Sequence, residues 1–291
     1  MANNAVQHLQ VTRVTDSDSE DFSDAIAIEE PLEIRLEYGP AGERKIQNIS
    51  VTMRTPGNDA ELATGFLFTE GIIKSISAIQ TAEHCFIACA ENRENVIQIS
   101  LSENVLPNLQ NTERNFYTTS SCGVCGKGSI NAIRTVSNHT DIQTNGNFIS
   151  TEILITLPGK LRDHQKVFAY TGGLHASALF TPSGELLFLR EDVGRHNALD
   201  KLIGAAIKEH QLPLNDTVLL LSGRASFELV QKAAMAGINI IAAVGAPSSL
   251  AVQLAQEFNI TLAGFLRGPR FNIYNAPQRI LIPSYEDQDQ K

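Results

Sequence analysis

The sequence has no long apolar run, and no segment approaches the roughly 20 residues that a helix needs to cross a bilayer. Its first residues, from Met1 to His8, also lack the basic and apolar regions of a secretory signal. We therefore expect a cytoplasmic protein without a membrane partner. Because thiols stay reduced in that compartment, the four cysteines favour catalysis or metal binding over a structural disulfide.

An excess of positive charge is also missing, since 23 lysines and arginines stand against 32 aspartates and glutamates, for a net charge of −9. This balance argues against general nucleic-acid binding. An anionic ligand would therefore need a local cluster of basic residues. The 291 residues, 43% of them hydrophobic, are enough for one large or two modest domains, and they contain no internal repeat.

The first half of the chain divides into three predicted segments. Its acidic N-terminal stretch predicts that residues 1–25 form a disordered, solvated arm. Residues 26–115 are predicted to form a β-rich subdomain with one helix, which begins after a turn at Thr55 and ends at Gly71. Residues 116–140 are predicted to form a cysteine-bearing loop and a helix.

Residues 141–282 are predicted to form an α/β domain, and residues 283–291 a solvated tail. The domain begins with a helix, a hairpin and a second helix, near 160–169, 178–190 and 194–210. Three apolar strands alternate with two helices after that, at 217–221, 226–236, 239–244, 249–258 and 260–265. This βαβαβ order predicts right-handed crossovers and a parallel sheet that is covered on both faces.

Three loops in this half leave the carboxyl ends of the predicted strands, where open α/β sheets bind their ligands. Each loop contains residue types that bind phosphate. The loops comprise Ser222, Gly223 and Arg224; residues 245–249; and Phe265, Leu266, Arg267, Gly268, Pro269 and Arg270. Any one of them alone is more typical of an ordinary loop with solvated arginines. Their convergence on one edge predicts a site for a nucleotide-like anion.

The segment between the hairpin and the next helix is rich in charge and contains Glu191, Asp192, Arg195 and His196. A histidine at a helix start can act as a base or contact a ligand, but it is more often a surface residue. The carboxylates can pair with Arg195 or contact ribose or guanine donors. His175, which follows two glycines, has the same two interpretations. We expect these five residues to line the cleft that the three loops form.

The motif SSCGVCGKGS at residues 120–129 places Cys122 and Cys125 between glycines. The glycines leave the backbone free to bend, which favours a loop over packing in a core. Lys127, and the N-terminus of a helix that begins just past Gly128, would both favour thiolate over thiol.

Three chemistries are open to these thiols. Disulfide exchange is one, although the motif does not follow the opening strand of a thioredoxin-type unit. Zinc binding would add Cys85 and Cys89 to form a tetrahedral set. Sulfur transfer needs a low-pKa thiolate and a site for the acceptor, and the sequence offers both. A P-loop is excluded because Gly128 follows Lys127, and a zinc deaminase is disfavoured because Ser177 replaces the general acid/base glutamate.

Long motifs in a fixed order carry a resemblance to a known family. They are MRTPG at 53–57, GFLFTEG at 65–71, SCGVCG at 121–126, TGGLH at 171–175, EDVGRHNALDK at 191–201, SGR at 222–224 and FLRGPR at 265–270. In these residues the chain resembles the formate dehydrogenase accessory sulfurtransferase family, FdhD. The resemblance covers roughly residues 30–282, and Cys85 and Cys89 lie outside its motifs.

The resemblance implies a sulfurtransferase that takes sulfur from a cysteine desulfurase and passes it to the molybdenum cofactor. The cofactor is the bis(molybdopterin guanine dinucleotide) form, which is sulfurated before its insertion into formate dehydrogenase. The family's persulfide cysteine corresponds to Cys122, with Cys125 as its partner, and its cofactor-binding stretch corresponds to residues 265–270. The resemblance also implies a cytidine-deaminase-like fold without the zinc site, and a homodimer.

We therefore predict an α/β protein with a smaller N-terminal β-rich subdomain, whose mixed-sheet domain binds the guanine dinucleotide ends of the cofactor. Arg224, Arg267 and Arg270 would neutralise its pyrophosphates, and Ser222 would lie in the same cleft. No permanent metal is predicted. The alternative is a zinc-binding structural or cofactor-carrier protein that uses Cys85, Cys89, Cys122 and Cys125.

Overall fold

The computed structural model describes residues 4–85, 94–109, 148–209 and 212–283. At its N-terminus, β1 (Val6–Val14) and β2 (Ser19–Ala27) pair along their whole length as an antiparallel hairpin. The prediction that residues 1–25 form a disordered arm is therefore wrong over residues 6–25.

Polar and charged side chains that face each other across the two strands explain why this acidic segment forms a hairpin. The guanidinium of Arg13 lies 3.8 Å from the ring centroid of Phe22 and 3.4 Å from the carboxylate of Glu20. Thr12 donates a hydrogen bond of 2.7 Å to Asp21 on the opposite strand. The charges that suggested disorder thus form cross-strand pairs, which stabilise a ladder.

The first sheet forms around β3 (Glu30–Tyr38), whose alternating pattern buries Leu32, Ile34 and Leu36. It pairs with β4 (Lys45–Arg54) on one side and with β6 (Val96–Leu101) on the other, and β5 (Ile79–His84) completes the order β4-β3-β6-β5. Between β4 and β5 lies α1 (Asp59–Thr69), after which Gly71 adopts a φ of 69°. The predicted helix between Thr55 and Gly71 is confirmed.

The second sheet and its helices are built from residues 149–281. The elements are β7 (Ile149–Ser150), α2 (Thr151–Leu154), α3 (Leu157–His164), α4 (Lys166–Thr171), β8 (His175–Phe180), β9 (Leu186–Asp192), α5 (Arg195–Lys208), β10 (Val218–Leu221), α6 (Phe227–Met235), β11 (Ile240–Ala243), α7 (Ser249–Glu257), β12 (Thr261–Arg267), β13 (Arg270–Asn275) and β14 (Ile280–Leu281). Within the described ranges, no helix has both the length and the apolar character needed to span a membrane.

The strand order of this sheet is β13-β12-β11-β10-β8-β9. The ladders β10–β11 and β11–β12 are parallel, whereas β8 runs antiparallel to β10 and β13 runs antiparallel to β12. This is the mixed α/β sheet with a βαβαβ half that the sequence predicts. One predicted helix differs, because the segment near 160–169 is divided at Gln165 into α3 and α4.

Both faces of the second sheet are covered. Leu199, Val230 and Leu254, from α5, α6 and α7, are buried in one core cluster that also includes the α1 residue Leu62. A second cluster on the other face contains Leu157 and Leu161 of α3, with Ile149 and Ile280 of the small β7–β14 pair. Because the first cluster also contains β3 residues, the two sheets share one core, and the predicted domain boundaries stay a prediction.

Helix α1, which lies between β4 and β5 of the first sheet, packs closely against α5, which covers the second sheet, and two glycines lie at the contact. A Cβ atom on Gly65 would lie 1.9 Å from the carbonyl oxygen of Asp200, and one on Gly204 would lie 1.9 Å from that of Glu61. The two helix backbones therefore touch, which only glycine permits.

A buried ion pair lies beside this helix contact. Lys232 of α6 is 2.9 Å from Asp200, and Asp200 accepts a hydrogen bond of 2.8 Å from Thr69 of α1. Burial alone would lower the pKa of Lys232, but the charges of Asp200 and Glu70 raise it above its ordinary value. Removal of either partner would leave a charge or polar group buried without compensation.

Candidate functional site

The carboxyl ends of β10, β11 and β12 are joined by backbone hydrogen bonds between the segments that follow them. Gly245 N donates to Gly223 O at 2.9 Å, and Phe265 N donates to Gly245 O at 3.0 Å. A Cβ atom on Gly245 would lie 2.9 Å from both Gly223 O and Arg224 N, so a larger residue would separate these segments. The three segments therefore meet at one edge of the sheet, as the βαβαβ order predicts.

The third segment is not the loop that the sequence predicts. Strand β12 continues to Arg267 and β13 begins at Arg270, so Gly268 and Pro269 form the turn of a hairpin. The reason is that residues 270–275 pair antiparallel with β12. The hairpin brings its arginines to the edge of the sheet without a helix N-terminus behind them.

Within this hairpin, the six residues predicted to bind cofactor have different environments. Leu266 is buried in the core cluster beneath the sheet, whereas Phe265 is 42% exposed and adopts a φ of 54°. Gly268, Pro269 and Arg270 are exposed. Arg267 is also exposed, and its Nε donates to Val244 O at 3.2 Å, which holds the guanidinium beside the end of β11.

The arginines at this edge are free of anionic partners within the described residues. Arg224, Arg267 and Arg270 are all exposed, and none forms an ion pair with a described carboxylate. Three uncompensated cations on one rim create a local positive potential in a protein whose net charge is −9.

A cavity of about 580 Å³ opens between this edge and the α3–α4 joint. A single nucleotide-sized group fits such a volume, since small-molecule pockets typically span about 300–1,000 Å³. Apolar and glycine residues form much of the wall. The polar side chains that line it are Arg162, Gln165, His175 and Ser222.

Two of these residues, His175 and Ser222, were predicted from the sequence. Ser222 Oγ accepts a hydrogen bond of 2.8 Å from Ala176 N, which ties the first loop to β8. Burial lowers the pKa of His175, and the nearby positive charges of Arg195 and His196 lower it further. The pocket therefore presents a neutral imidazole at neutral pH.

Glu191, which the sequence predicts near the ligand, is not among the residues that line this cavity. Its carboxylate accepts hydrogen bonds of 3.0 and 2.9 Å from the backbone N–H groups of Val167 and Phe168. These are N–H groups of the first turn of α4, which have no partner inside the helix. Glu191 thus caps α4 and fixes its position against β9.

Asp192 is also absent from the cavity wall, because its side chain is completely buried. It lies 2.7 Å from Lys201 Nζ and accepts hydrogen bonds from Thr55 N and Gly194 N. Burial raises the pKa of the Asp192 carboxyl, while the charge of Lys201 opposes the rise. Asp192 therefore joins α5 to the segment after β4 and has no surface to offer a ligand.

His196 and Arg195 are not among the residues that line the cavity. His196 Nε2 lies 2.8 Å from Glu228 Oε2 and 3.3 Å from Ser226 Oγ, which ties α5 to α6. Arg195 Nε is enclosed and makes no hydrogen bond with the described residues. Arg195 acts on the site through its charge, which reaches His175.

Arg162, Gln165 and Phe168 are among the residues of the cavity wall that the sequence did not indicate. All three lie around the α3–α4 joint, which the sequence presents as a single helix. Their position just before the motif at 171–175 was an available signal.

The predicted thiol chemistry falls largely outside the described residues, because Cys89, Cys122, Cys125 and Lys127 lie there. Cys85 is described and half-buried, with Sγ 3.4 Å from Gln98 Oε1. Burial raises the pKa of its thiol above the ordinary value. In the described part of the chain, no group of three or more histidines, cysteines or carboxylates is placed to hold a metal. The four-cysteine zinc set stays a prediction.

Curated proteins similar to this chain share a name and almost their full length with it. The protein named sulfur carrier protein FdhD from Streptomyces avermitilis is 50% identical over 276 residues, which cover 94% of this chain and 95% of that one. The protein of the same name from Mycolicibacterium paratuberculosis is 50% identical over 275 residues, covering 93% and 97%.

A solved structure agrees with the architecture described above. A protein from Desulfotalea psychrophila, described as a formate dehydrogenase accessory protein, superposes with a TM-score of 0.69. The match covers 95% of this chain and 100% of that one at 23% identity, so the likeness concerns the fold. The model of the FdhD/NarQ family matches residues 27–281. With a match of that extent and relatives at 50% identity, the chain belongs to the FdhD/NarQ family.

Proposed function

We propose that this protein is a cytoplasmic sulfurtransferase that carries sulfur from a cysteine desulfurase to the molybdenum cofactor and so serves the maturation of formate dehydrogenase. The observation that carries the proposal is the 50% identity, over 94% of the chain, to a protein named sulfur carrier protein FdhD. The glycine-flanked CxxC motif in the sequence supplies the thiols that such a reaction needs.

The proposed first step moves a sulfane sulfur onto Cys122. The Cys122 thiolate attacks the terminal sulfur of the desulfurase persulfide, a new S–S bond forms, and the desulfurase cysteine leaves as a thiolate. Donor and acceptor exchange one sulfur atom, and no external oxidant or reductant is needed. Lys127, two residues past the motif, would favour the attacking thiolate.

The proposed second step releases the sulfur to the acceptor. Cys125 attacks the inner sulfur of the Cys122 persulfide, the two cysteines form a disulfide, and the terminal sulfur leaves as hydrosulfide for the bound acceptor. The two thiols supply the two electrons that reduce the sulfur. The next turnover then requires a cellular thiol reductant to restore Cys122 and Cys125.

The acceptor in this proposal is the bis(molybdopterin guanine dinucleotide) form of the cofactor, treated as a substrate. Its anionic, heterocyclic ends match the residues at the carboxyl edge of the second sheet. Arg224, Arg267 and Arg270 offer unpaired cations to phosphate, and the cavity of about 580 Å³ suits one heterocyclic end with its sugar and not the whole cofactor. The remainder would extend along the exposed rim.

Intact-mass spectrometry tests the sulfur-carrying step. The full-length protein is incubated with a cysteine desulfurase and cysteine, and the expected result is a mass increase of one sulfur atom that dithiothreitol removes. Cys122→Ala is expected to abolish the increase, whereas Cys85→Ala, outside the family motifs, is the matched control and should retain it. An unchanged mass of the wild-type protein, or a full increase in Cys122→Ala, would contradict the proposal.

The proposed partners follow from the same reaction. A desulfurase donates the sulfur, and a formate dehydrogenase receives the finished cofactor. We also propose a homodimer, which light scattering of the purified protein tests directly. Cells that lack their own copy should regain formate dehydrogenase activity with the wild-type chain and not with Cys122→Ala.

A further inference from the structure

Gln165 is a buried polar residue whose side chain has no hydrogen-bond partner among the described residues. Only 4% of its surface is exposed, yet its amide makes no hydrogen bond with any described residue. Its amide atoms are also not among the fully enclosed unpaired atoms of the described chain, which belong to Arg195, Glu228 and Arg279. Because Gln165 lines the cavity, the amide has access to it. A buried amide normally has a hydrogen-bond partner, so this one indicates a ligand.

The backbone on both sides of Gln165 is fixed, which makes the amide a positioned group. Gln165 N donates to Leu161 O at 3.1 Å, and Gln165 O accepts from Ala169 N at 3.0 Å. The residue therefore ends α3 and starts α4 at once. Glu191 in turn holds the first turn of α4 against β9. Groups that bind a ligand are typically held in position by such hydrogen bonds from neighbouring residues, whereas a solvated side chain does not need them.

A stacked guanidinium and aromatic ring also line this cavity. The guanidinium of Arg162 is 4.5 Å from the ring centroid of Phe168, and both residues line the cavity with Gln165. Guanidinium and phenyl groups both stack on heterocyclic rings, and a base stacked in this way turns its edge towards neighbouring polar groups. His175 and Ser222 border the same cavity near the arginine-rich rim, where a sugar and phosphate would lie.

We propose that Gln165 pairs with the hydrogen-bonding edge of a fused heterocycle stacked against Arg162 and Phe168, namely the 2-amino-4-oxo edge that guanine and pterin share. The identification of this ring rests on the proposed function, because both rings occur in the proposed acceptor. The edge presents a ring N–H donor next to a carbonyl acceptor, and a carboxamide complements these with its oxygen and its NH₂ group. Gln165 thus recognises a ring edge that places a donor next to an acceptor, and no carboxylate among the described residues borders the cavity to compete with it.

Calorimetric titration of the full-length protein with GDP, with ADP and with 6-hydroxymethylpterin tests the pairing. Gln165→Leu removes both hydrogen bonds and should weaken GDP binding by about ten- to a hundredfold. Its melting temperature should equal or exceed that of the wild type, since the change removes an unpaired buried amide. A wild-type affinity for GDP in Gln165→Leu would overturn the proposal.

Gln165→Glu gives a readout that a structural role would not change. A carboxylate only accepts hydrogen bonds, so it still pairs with the two neighbouring donors of guanine, the ring N–H and the 2-amino group. Adenine offers one donor and one acceptor on the corresponding edge, and a carboxylate repels the acceptor. The preference for GDP over ADP should therefore rise about tenfold in Gln165→Glu relative to the wild type. An unchanged preference would overturn the proposal.

The control variant is Gln253→Leu, which changes an exposed glutamine of α7 that does not border the cavity. It should bind every probe as the wild type does. Binding of GDP alone assigns the cavity to the guanine end of the acceptor, and binding of the pterin alone assigns it to the pterin. Either result supports the proposal provided that Gln165→Leu weakens that binding by about ten- to a hundredfold.

Failure of this inference is distinguishable from failure of the proposed function. Gln165→Leu should gain one sulfur atom from a desulfurase as readily as the wild type does, because the change leaves the thiols untouched. If the wild type gains no sulfur, the carrier function fails while the heterocycle site stands on its own titrations. If the wild type gains sulfur but Gln165→Leu binds GDP as tightly as the wild type does, only this inference fails.

Discussion

Replacement of Gly204 by alanine tests whether α1 and α5 are in backbone contact. The added Cβ would lie 1.9 Å from the carbonyl oxygen of Glu61, whereas such contacts below 3.0 Å are essentially never found. The helices must therefore separate by about 1.1 Å, the difference between these two distances. Both helices are closely packed in the shared core, so this separation strains the fold.

The magnitude follows from three contributions. Overpacking of a core costs about 1–3 kcal/mol. The hydrogen bond from Thr69 to Asp200, one turn away, would stretch from 2.8 Å, and leaving it unmade costs about 1–3 kcal/mol more. Alanine returns about 1 kcal/mol through its better helix propensity. We therefore expect a net loss of about 1–5 kcal/mol in the free energy of unfolding.

Thermal unfolding measures this loss, and a second glycine provides the control. A loss of 1 kcal/mol lowers Tm by about 2–4 °C in chains of this order of size, so Gly204→Ala should melt about 2–20 °C below the wild type. Gly159 of α3 has no atom within 4 Å of its added Cβ. Gly159→Ala should therefore stabilise the protein by about 0.5–1 kcal/mol. Equal Tm values for Gly204→Ala and the wild type would refute the backbone contact.

Two further predictions concern the site. Glu191→Ala leaves the N–H groups of Val167 and Phe168 without an acceptor and releases α4, so the affinity for GDP should fall about tenfold. Glu191→Gln keeps one acceptor oxygen and should lose less affinity. Equal GDP titrations of both variants and the wild type would contradict this role. Burial is the main reason that the pKa of His175 lies below its ordinary value of 6.5. At a pH between that lowered pKa and 6.5, the unfolded chain therefore binds a proton that the folded chain does not bind. The wild type should thus lose stability relative to His175→Asn as pH falls from neutrality, by up to about 1.4 kcal/mol per pH unit in that window. Parallel urea-unfolding curves for the two proteins, with a constant difference at every pH, would rule this out.

Local sequence patterns predicted the helices and strands that have a clear apolar periodicity. They did not predict the elements whose formation depends on pairing with another segment of the chain. The βαβαβ half was predictable because each strand and helix has its own apolar pattern. The hairpin at residues 6–27 was missed because composition counts charges without showing that Arg13 faces Glu20. Residues 265–270 have the pattern of a loop because the strand that completes the hairpin extends beyond them, to residue 275.

The candidate site was predicted only in part for a related reason. Sequence places Glu191 and Asp192 between a strand and a helix, but it does not tell that one faces the N–H groups of α4 and the other faces Lys201. Nor does it reveal the division of the predicted helix at Gln165, where neither glycine nor proline interrupts the pattern. The most informative side chain of the cavity therefore looked like an ordinary helical residue.

These internal partnerships explain how an acidic protein presents uncompensated arginines at one edge of its second sheet. Asp192 is neutralised by Lys201, Asp200 by Lys232, and Glu191 by the first turn of α4. Carboxylates that belong to the polar segment in the sequence are thus withdrawn from the surface in the fold. What remains at the cavity and its rim is a set of arginines without described anionic partners, together with a neutral imidazole. The net charge of the protein therefore does not predict the electrostatic potential at the sheet edge, which depends on the charges that are left without a partner there.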